Sequence, residues 1–250
     1  EVKADGFDLV DDFSDLFGMN AAGTDAKMRN TKESILEAQF TSGAGNWCTW
    51  MFGRDLVNWN NNFTWAKWVT PSRDLISAFK QEGDEVRFKE SIVYYDCNWS
   101  NYYPSDNYPF MYKCRSANSS IIKYRYADVL LLKAEALIMQ DTPDLEGAAD
   151  IIDEVRDRAK LGALPTSVRS NKNAMLNALL KERRLELAFE GQRWFDLVRL
   201  DKVEEVMNAV YAKDSGRKAQ IYTFDKNSYR LPIPQSVIDA NDKIHQNPGY

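Results

Sequence analysis

The residues best equipped for chemistry lie between Glu182 and Arg193. Three glutamates, Glu182, Glu186 and Glu190, alternate there with three arginines, Arg183, Arg184 and Arg193. Two carboxylates of unlike environment facing one cleft would do general acid and base work. Here each acid has an arginine nearby in the chain, which holds a carboxylate ionised instead of splitting the proton affinities of the pair. The charge logic therefore favours a structural ion-pair network over a catalytic pair. Leu176, Leu180, Arg183 and Leu187 fall on one helical stripe. Gly191 interrupts that helix, and Trp194, Phe195, Leu197 and Val198 begin a second apolar segment. The pattern predicts a helix end that folds back into a core with paired charges at the corner.

A second set of residues suits recognition. Residues 46–70 read NWCTWMFGRDLVNWNNNFTWAKWVT, and hold Trp47, Trp50, Trp59, Trp65 and Trp68 among Asn46, Asn58, Asn60, Asn61 and Asn62. The run has neither helical nor strand period, and asparagine favours loops. Tryptophans in a polar loop can stack on flat apolar faces, those of sugar rings or bases, while amides, Arg54 or Asp55 bond hydroxyls beside them. The competing reading is that most of these rings plug the core, with roughly one to three of the five exposed. Residues 96–120 form another loop, with Trp99, Tyr102, Tyr103, Tyr108 and Phe110 among Asn, Ser and Asp residues. Long loops in compact domains are often functional, so this is a second candidate surface.

Composition narrows the classes. Net charge is −5 over 250 residues, which argues against a general nucleic-acid or anionic-membrane binder. Hydrophobic residues make up 44%, enough for a sizeable core. His245 is the only histidine, and Cys48, Cys97 and Cys114 have no metal-ligand spacing, so no zinc site, His-based triad or other cofactor is expected. Cys97 and Cys114 flank a loop and are placed to pair or to remain thiols. No signal peptide or transmembrane run is present.

The elements that must position these residues follow in order. Phe7, Leu9, Val10, Phe13, Leu16 and Phe17 make an apolar cluster, and residues 34–40 (SILEAQF) suit a short strand. Ser72 is placed to cap a helix through Leu75, Ile76 and Phe79 that Gly83 stops. Residues 86–95 (VRFKESIVYY) alternate partly and suggest a strand. From Ile121 the pattern reads as helix, with Leu130, Ala134 and Leu137 on one face. Asp144 then caps a second helix with Ala148, Ile152, Val155 and Ala159 at i, i+4, i+7 and i+11. Helix, short turn and helix with small residues at contact points is the pattern of one tetratricopeptide-type hairpin. A helix over residues 171–190 follows. Tyr222–Pro234 looks extended, and Pro232 and Pro234 exclude a central strand. The end is a short helix at most.

Three segments together carry a resemblance: YRYADVLLLKAEAL (Tyr124–Leu137), ERRLELAFEGQRWFDLVRL (Glu182–Leu200) and LPIPQSVIDANDKIHQNPGY (Leu231–Tyr250). PSRDLISAF (Pro71–Phe79) and SILEAQF add to it in the right order. The chain resembles the C-terminal portion of SusD-like (RagB/SusD) proteins over residues 31–250. The resemblance implies a mostly α fold, with tetratricopeptide-like helix pairs scaffolding long irregular loops and a few short strands. It implies that 1–250 is the C-terminal part of one SusD-like domain. Residues 1–120 would be the loop-rich ligand side, residues 121–250 the helical scaffold and tail, and the N-terminal half would be absent.

The resemblance also implies a non-catalytic role: cell-surface capture of an oligosaccharide or polysaccharide and its delivery to a SusC-like TonB-dependent outer-membrane transporter. It implies location at the outer membrane, with contact to the membrane only through a lipid anchor in the missing part. Composition of the aromatic loops then selects Trp47, Trp50, Trp59 and Trp65 for stacking, with Asn60, Arg54 and Tyr102 as polar partners. Three alternatives are peptide capture, a pure protein-interaction scaffold using Tyr124–Lys160, and a glycosidase. The last would need two carboxylates from Asp55, Asp96 and Asp106 about 5–9 Å apart.

Overall fold

The structure, a computed structural model, describes residues 2–41, 45, 56–57, 69–213 and 223–250. They fall into two compact units, Glu1–Gly191 and Gln192–Tyr250. In chain order the first unit contains α1 (Ser14–Phe17), β1 (Ser34–Ala38), α2 (Arg73–Glu82), α3 (Glu85–Ser91) and β2 (Ile92–Tyr95). It continues with β3 (Tyr108–Met111), β4 (Ile121–Arg125), α4 (Tyr126–Met139), α5 (Leu145–Arg158), α6 (Thr166–Arg169) and α7 (Lys172–Glu186). The second unit contains α8 (Arg193–Arg199), α9 (Val203–Lys213), a 3-10 turn at Lys226–Tyr229 and α10 (Gln235–Asp239). The protein is mostly helical with a few short strands, as the sequence pattern and resemblance imply. No helix among the described residues is long and apolar enough to cross a membrane.

Two antiparallel strand pairs, β1 with β4 and β2 with β3, flank the helices. The main core joins α4, α5 and α7. Leu130, Leu131, Ala134 and Ile138 of α4 bury against Ala148, Ile152 and Val155 of α5 and Met175 and Leu179 of α7. Small alanines at Ala134 and Ala148 let the α4 and α5 backbones approach closely, which makes the expected helical hairpin. Its second helix starts where Asp144 accepts a hydrogen bond from the Gly147 amide. The N-terminal cluster also forms: Val10, Phe13, Leu16 and Phe17 pack with Ile122.

Several boundaries differ from the sequence reading. Val86–Tyr95 is not one strand; α3 comes first, because the Asp84 carboxylate accepts from the Arg87 amide and caps it. The segment from Ile121 begins as β4, pairing Ile122 with Glu37 and Tyr124 with Leu36, and helix starts at Tyr126. Tyr108–Met111, within the expected loop, is a strand opposite β2. α7 ends at Glu186, before residue 190, and Phe189 (φ 65°) and Gly191 (φ 84°) turn the chain in the left-handed region. Cys97 and Cys114 are both buried and are not joined to each other.

The charged corner exists, with partners drawn from farther along the chain. Glu186, fully buried, accepts from Arg125, Arg158 and, at 3.0 Å, Arg87. Glu33 bridges Arg125 (2.6 Å) and Arg158 (2.9 Å). Glu190 bridges Arg125 (2.7 Å) and the Lys113 ammonium (2.5 Å). Glu182 takes Arg87 at 2.5 Å and Arg156 at 3.3 Å, and Asp84 closes the set on Arg87. Arg183 and Arg184 instead pair with Asp128 (2.9 Å) and Asp74 (2.6 Å). Glu182 and Glu186 share a face of α7 at i and i+4, while Asp128 and Asp74, distant in the chain, take the two arginines instead.

Burial alone would raise the Glu186 carboxyl, but Arg158, Arg125 and Arg87 hold it well below the usual carboxylate range. Burial likewise opposes Arg125 and Lys113 at Glu190, and the cations win. At Glu182 burial wins and the carboxyl is raised. A depressed carboxylate contributes stability that is present above its unfolded value, about 4.3 for Glu, and is lost as pH falls through the folded value. Glu186→Ala strands buried guanidinium groups and is expected to cost about 3–5 kcal/mol in urea denaturation. Its stability should also fall less between pH 5 and pH 3 than the parent's. A loss below about 1 kcal/mol would show that the network contributes little beyond what hydrophobic packing supplies.

Candidate functional site

The candidate recognition surface among the described residues is built on the β2–β3 hairpin. Register pairs Tyr95 with Tyr108 and Val93 with Phe110, and the connecting loop, residues 96–107, projects beyond that last pair. The loop folds onto itself through a bond from the Cys97 amide to the Ser105 carbonyl (2.6 Å). Beneath it, Leu56, Cys97, Tyr108 and Phe110 form a buried cluster. Packed against that cluster, Trp99, Tyr102 and Tyr103 are half-buried. A recess of about 800 Å³ opens among Asn98, Trp99, Asn101, Tyr102 and Ser105.

Ring packing fixes the shelf. Tyr102 and Tyr103 meet edge to face, with centroids 5.0 Å apart and planes at 87°. Tyr103 meets Tyr108 the same way at 5.6 Å. The Arg73 guanidinium lies 4.2 Å from the Tyr102 ring centroid and 4.4 Å from that of Tyr103, and also donates to the Tyr102 carbonyl. Arg73 is held there because Ser72 caps α2 by accepting from the Leu75 amide (3.1 Å). The Tyr103 hydroxyl donates to the Pro71 carbonyl at 2.6 Å.

Of the residues selected from sequence, Tyr102 sits on this shelf. Trp47, Trp50, Arg54, Trp59, Asn60 and Trp65 lie outside the described residues. Their described chain neighbours attach to the same hairpin. The Leu56 amide donates to the Arg115 carbonyl (2.7 Å), and the Leu56 carbonyl accepts from the Tyr95 hydroxyl (2.6 Å). At the other end of the run, the Thr70 and Tyr108 hydroxyls are 3.2 Å apart. Sequence reasoning did not single out Arg73, Trp99 or Tyr103 for the site. The signal for Trp99 and Tyr103 was their place in the second aromatic loop; nothing local marked Arg73.

The carboxylates of this corner are unsuited to catalysis in this arrangement, since Glu182 and Glu186 of α7 are buried against cations and the half-buried Glu190 is paired with Arg125 and Lys113. Asp96 and Asp106 are exposed on the loop. Among the described residues no group of three His, Cys, Asp or Glu side chains is placed to hold a metal.

A family model, that of the SusD family (SusD_RagB), matches residues 109–250, more than half of the chain. The chain belongs to the SusD family. SusD-like protein P38 of Formosa agariphila is 42% identical over 99 residues, covering 37% of this chain and 19% of that protein. SusD-like protein P2 of the same organism is 35% identical over 143 residues, covering 54% of this chain and 27% of that one. Surface glycan-binding protein A from Bacteroides thetaiotaomicron, solved in complex with laminarihexaose, superposes with a TM-score of 0.70 at 19% identity. That match covers 97% of this chain and 56% of the other. The chain thus spans little more than half the length of that structure and a smaller share of the curated relatives.

Arg73→Ala removes a cation from two ring faces and a donor from one loop carbonyl, while Ser72 still caps α2. With the ring contacts contributing roughly 0.5–2 kcal/mol, amides of residues 98–105 should exchange with solvent about tenfold faster. Hydrogen-exchange mass spectrometry reads this directly. Unchanged protection would mean that the loop's order does not depend on Arg73.

Proposed function

We propose that this SusD-family chain captures a nutrient glycan at the outer face of the outer membrane. It then passes the glycan, chemically unaltered, to a SusC-like TonB-dependent transporter. The observation that carries the reading is the half-buried Trp99–Tyr102–Tyr103 ring cluster lining the loop recess beside the amides of Asn98 and Asn101. Sugar CH faces stack on such rings while amides take hydroxyls. The laminarihexaose complex of a protein with the same fold supports the ligand class. Trp47, Trp50, Trp59 and Trp65 are the proposed further stacking rings, with Arg54, Asn60 and Tyr102 as polar partners. Attachment of Leu56 and Thr70 to the hairpin supports one composite surface.

A binding role without chemistry agrees with the commitment of the α7 carboxylates to buried cations. The transporter contact is assigned to the α4–α5 hairpin, where Leu132 and Met139 are exposed at helical spacing on α4.

The test is calorimetric titration with neutral and acidic oligosaccharides and, in parallel, mixed peptides, with chromatography of the recovered ligand. Saturable binding of one glycan class is expected, with the ligand recovered intact. Trp99→Ala and Tyr102→Ala should each weaken binding about tenfold without lowering the melting temperature substantially. Binding of peptides alone would overturn the glycan reading in favour of peptide capture, and cleaved ligand would overturn the non-catalytic one.

A further inference from the structure

The second unit contains a concave site that the loop shelf does not explain. A cavity of about 800 Å³ is lined by the rings of Trp194, Phe224 and Tyr250 and by Leu231, with Asn227 and Ser228 at its edge. Its size lies within the range of small-molecule sites, roughly 300–1,000 Å³. Every one of these residues belongs to Gln192–Tyr250.

The rings are held in place by specific bonds. The Asn208 side chain of α9 clamps the Phe224 backbone twice, accepting from its amide and donating to its carbonyl, both at 2.9 Å. Tyr211 packs on the far end of that contact, with ring centroids 5.4 Å apart, and Trp194 stands 6.5 Å from Phe224 at 59°. Tyr250 is brought over the cavity by Gly249, whose φ is +96° and whose backbone runs so near Asn227 that an added Cβ would lie 2.8 Å from its Cβ. The Tyr250 hydroxyl then donates to the Arg230 carbonyl (3.2 Å). Leu231 and Tyr250 are nonetheless 81% and 58% exposed, so these apolar surfaces stay open to a ligand.

The charge pattern selects the ligand. Among the described residues no lysine or arginine lines the cavity. The one carboxylate among the described lining residues, Asp225, is committed to the 3-10 turn: it accepts from the Asn227 amide (2.8 Å), the Ser228 amide (3.3 Å) and the Asn227 side chain (3.3 Å). Among these described residues an anion would find no counter-charge, and a cation only a carboxylate already spent on three donors. What remains are aromatic faces beside amide and hydroxyl groups, which match a ligand with an apolar face and uncharged polar edges.

We propose that this cavity is a second, separate binding site for a short neutral saccharide. The site takes its ligand class from the glycan reading above, but its geometry is independent of the loop shelf. The experiment is ¹⁹F NMR of the full chain labelled with 5-fluorotryptophan, with the two signals of interest assigned by Trp194→Phe and Trp99→Phe. Neutral gluco-oligosaccharides, an oligouronate and an apolar peptide are titrated separately.

The expected result is a saturable shift of the Trp194 signal with a neutral oligosaccharide and none with the uronate. Tyr250→Ala, a change at an exposed terminal ring, should weaken that response at least about tenfold. Trp99→Phe should leave it intact. A moving Trp99 signal beside a silent Trp194 signal overturns the second site and leaves the shelf standing. Silence of both signals with every glycan overturns both readings. An equal response to the uronate, a response to the peptide alone, or indifference to Tyr250→Ala overturns this proposal by itself.

Discussion

The buried carboxylate of Glu186 is the interaction on which the first unit depends. Arginines from α3, from the end of β4 and from α5 converge on it, so three long-range connections meet at one residue of α7. Desolvating such charges is expensive, and the expense is offset only when every partner is in place. The arrangement therefore does more than add stability. A register shift of β4, or a slide of α5 along α4, would leave a guanidinium buried without its carboxylate. Apolar packing between the same helices would tolerate such a slide far better. We read the network as the device that selects one packing of the helices among several that bury similar area.

That selection matters because the proposed recognition surface is built on connections, not on the helices. The shelf rings sit on the turn between β2 and β3, and their cation comes from the first residue of α2. Each is a short excursion from an element whose place the ionic core helps to set. Stiff, mutually packed aromatics lose little freedom when a ligand arrives, so the ordering cost of binding is largely met during folding. On the proposed reading, the edge-to-face contacts among Tyr102, Tyr103 and Tyr108 serve a ligand as well as the fold.

Local chemistry was legible in the sequence wherever a few neighbouring residues decide the outcome. Ser72 and Asp144 cap the helices they precede, Gly83 ends one, and the alanines and branched residues of Ala148 to Ala159 face the core. Long-range choices were not legible. Glu186 and Arg87 are distant in sequence, and nothing near either names the other. The nearer candidates, Arg183 and Arg184, were misleading because Asp128 and Asp74, far off in the sequence, take them instead. Residues 86–95 defeated pattern reading for a related reason: a capped helical stretch and a strand are fused there without a breaker between them. At the candidate site, composition pointed to Tyr102, which lies on the loop, whereas Arg73 owes its place beside the rings to folding across the chain. The tryptophans around Trp59 lie outside the described residues.

The C-terminal unit is held together differently from the first. Leu197 and Val203 are its buried apolar side chains among the described residues. Its extended LPIP segment is secured by amide side chains instead. Gln246 both donates to and accepts from Ile233, the one amide donor between two prolines, and Asn247 donates to the Leu231 carbonyl. The heat-capacity change of an opening reaction comes chiefly from newly hydrated apolar surface, and polar surface contributes with the opposite sign. Opening of this segment therefore carries a small heat capacity, and its free energy varies almost linearly with temperature. The helical core follows the usual dome, so departure from its temperature of maximum stability in either direction weakens the core by curvature that the segment lacks.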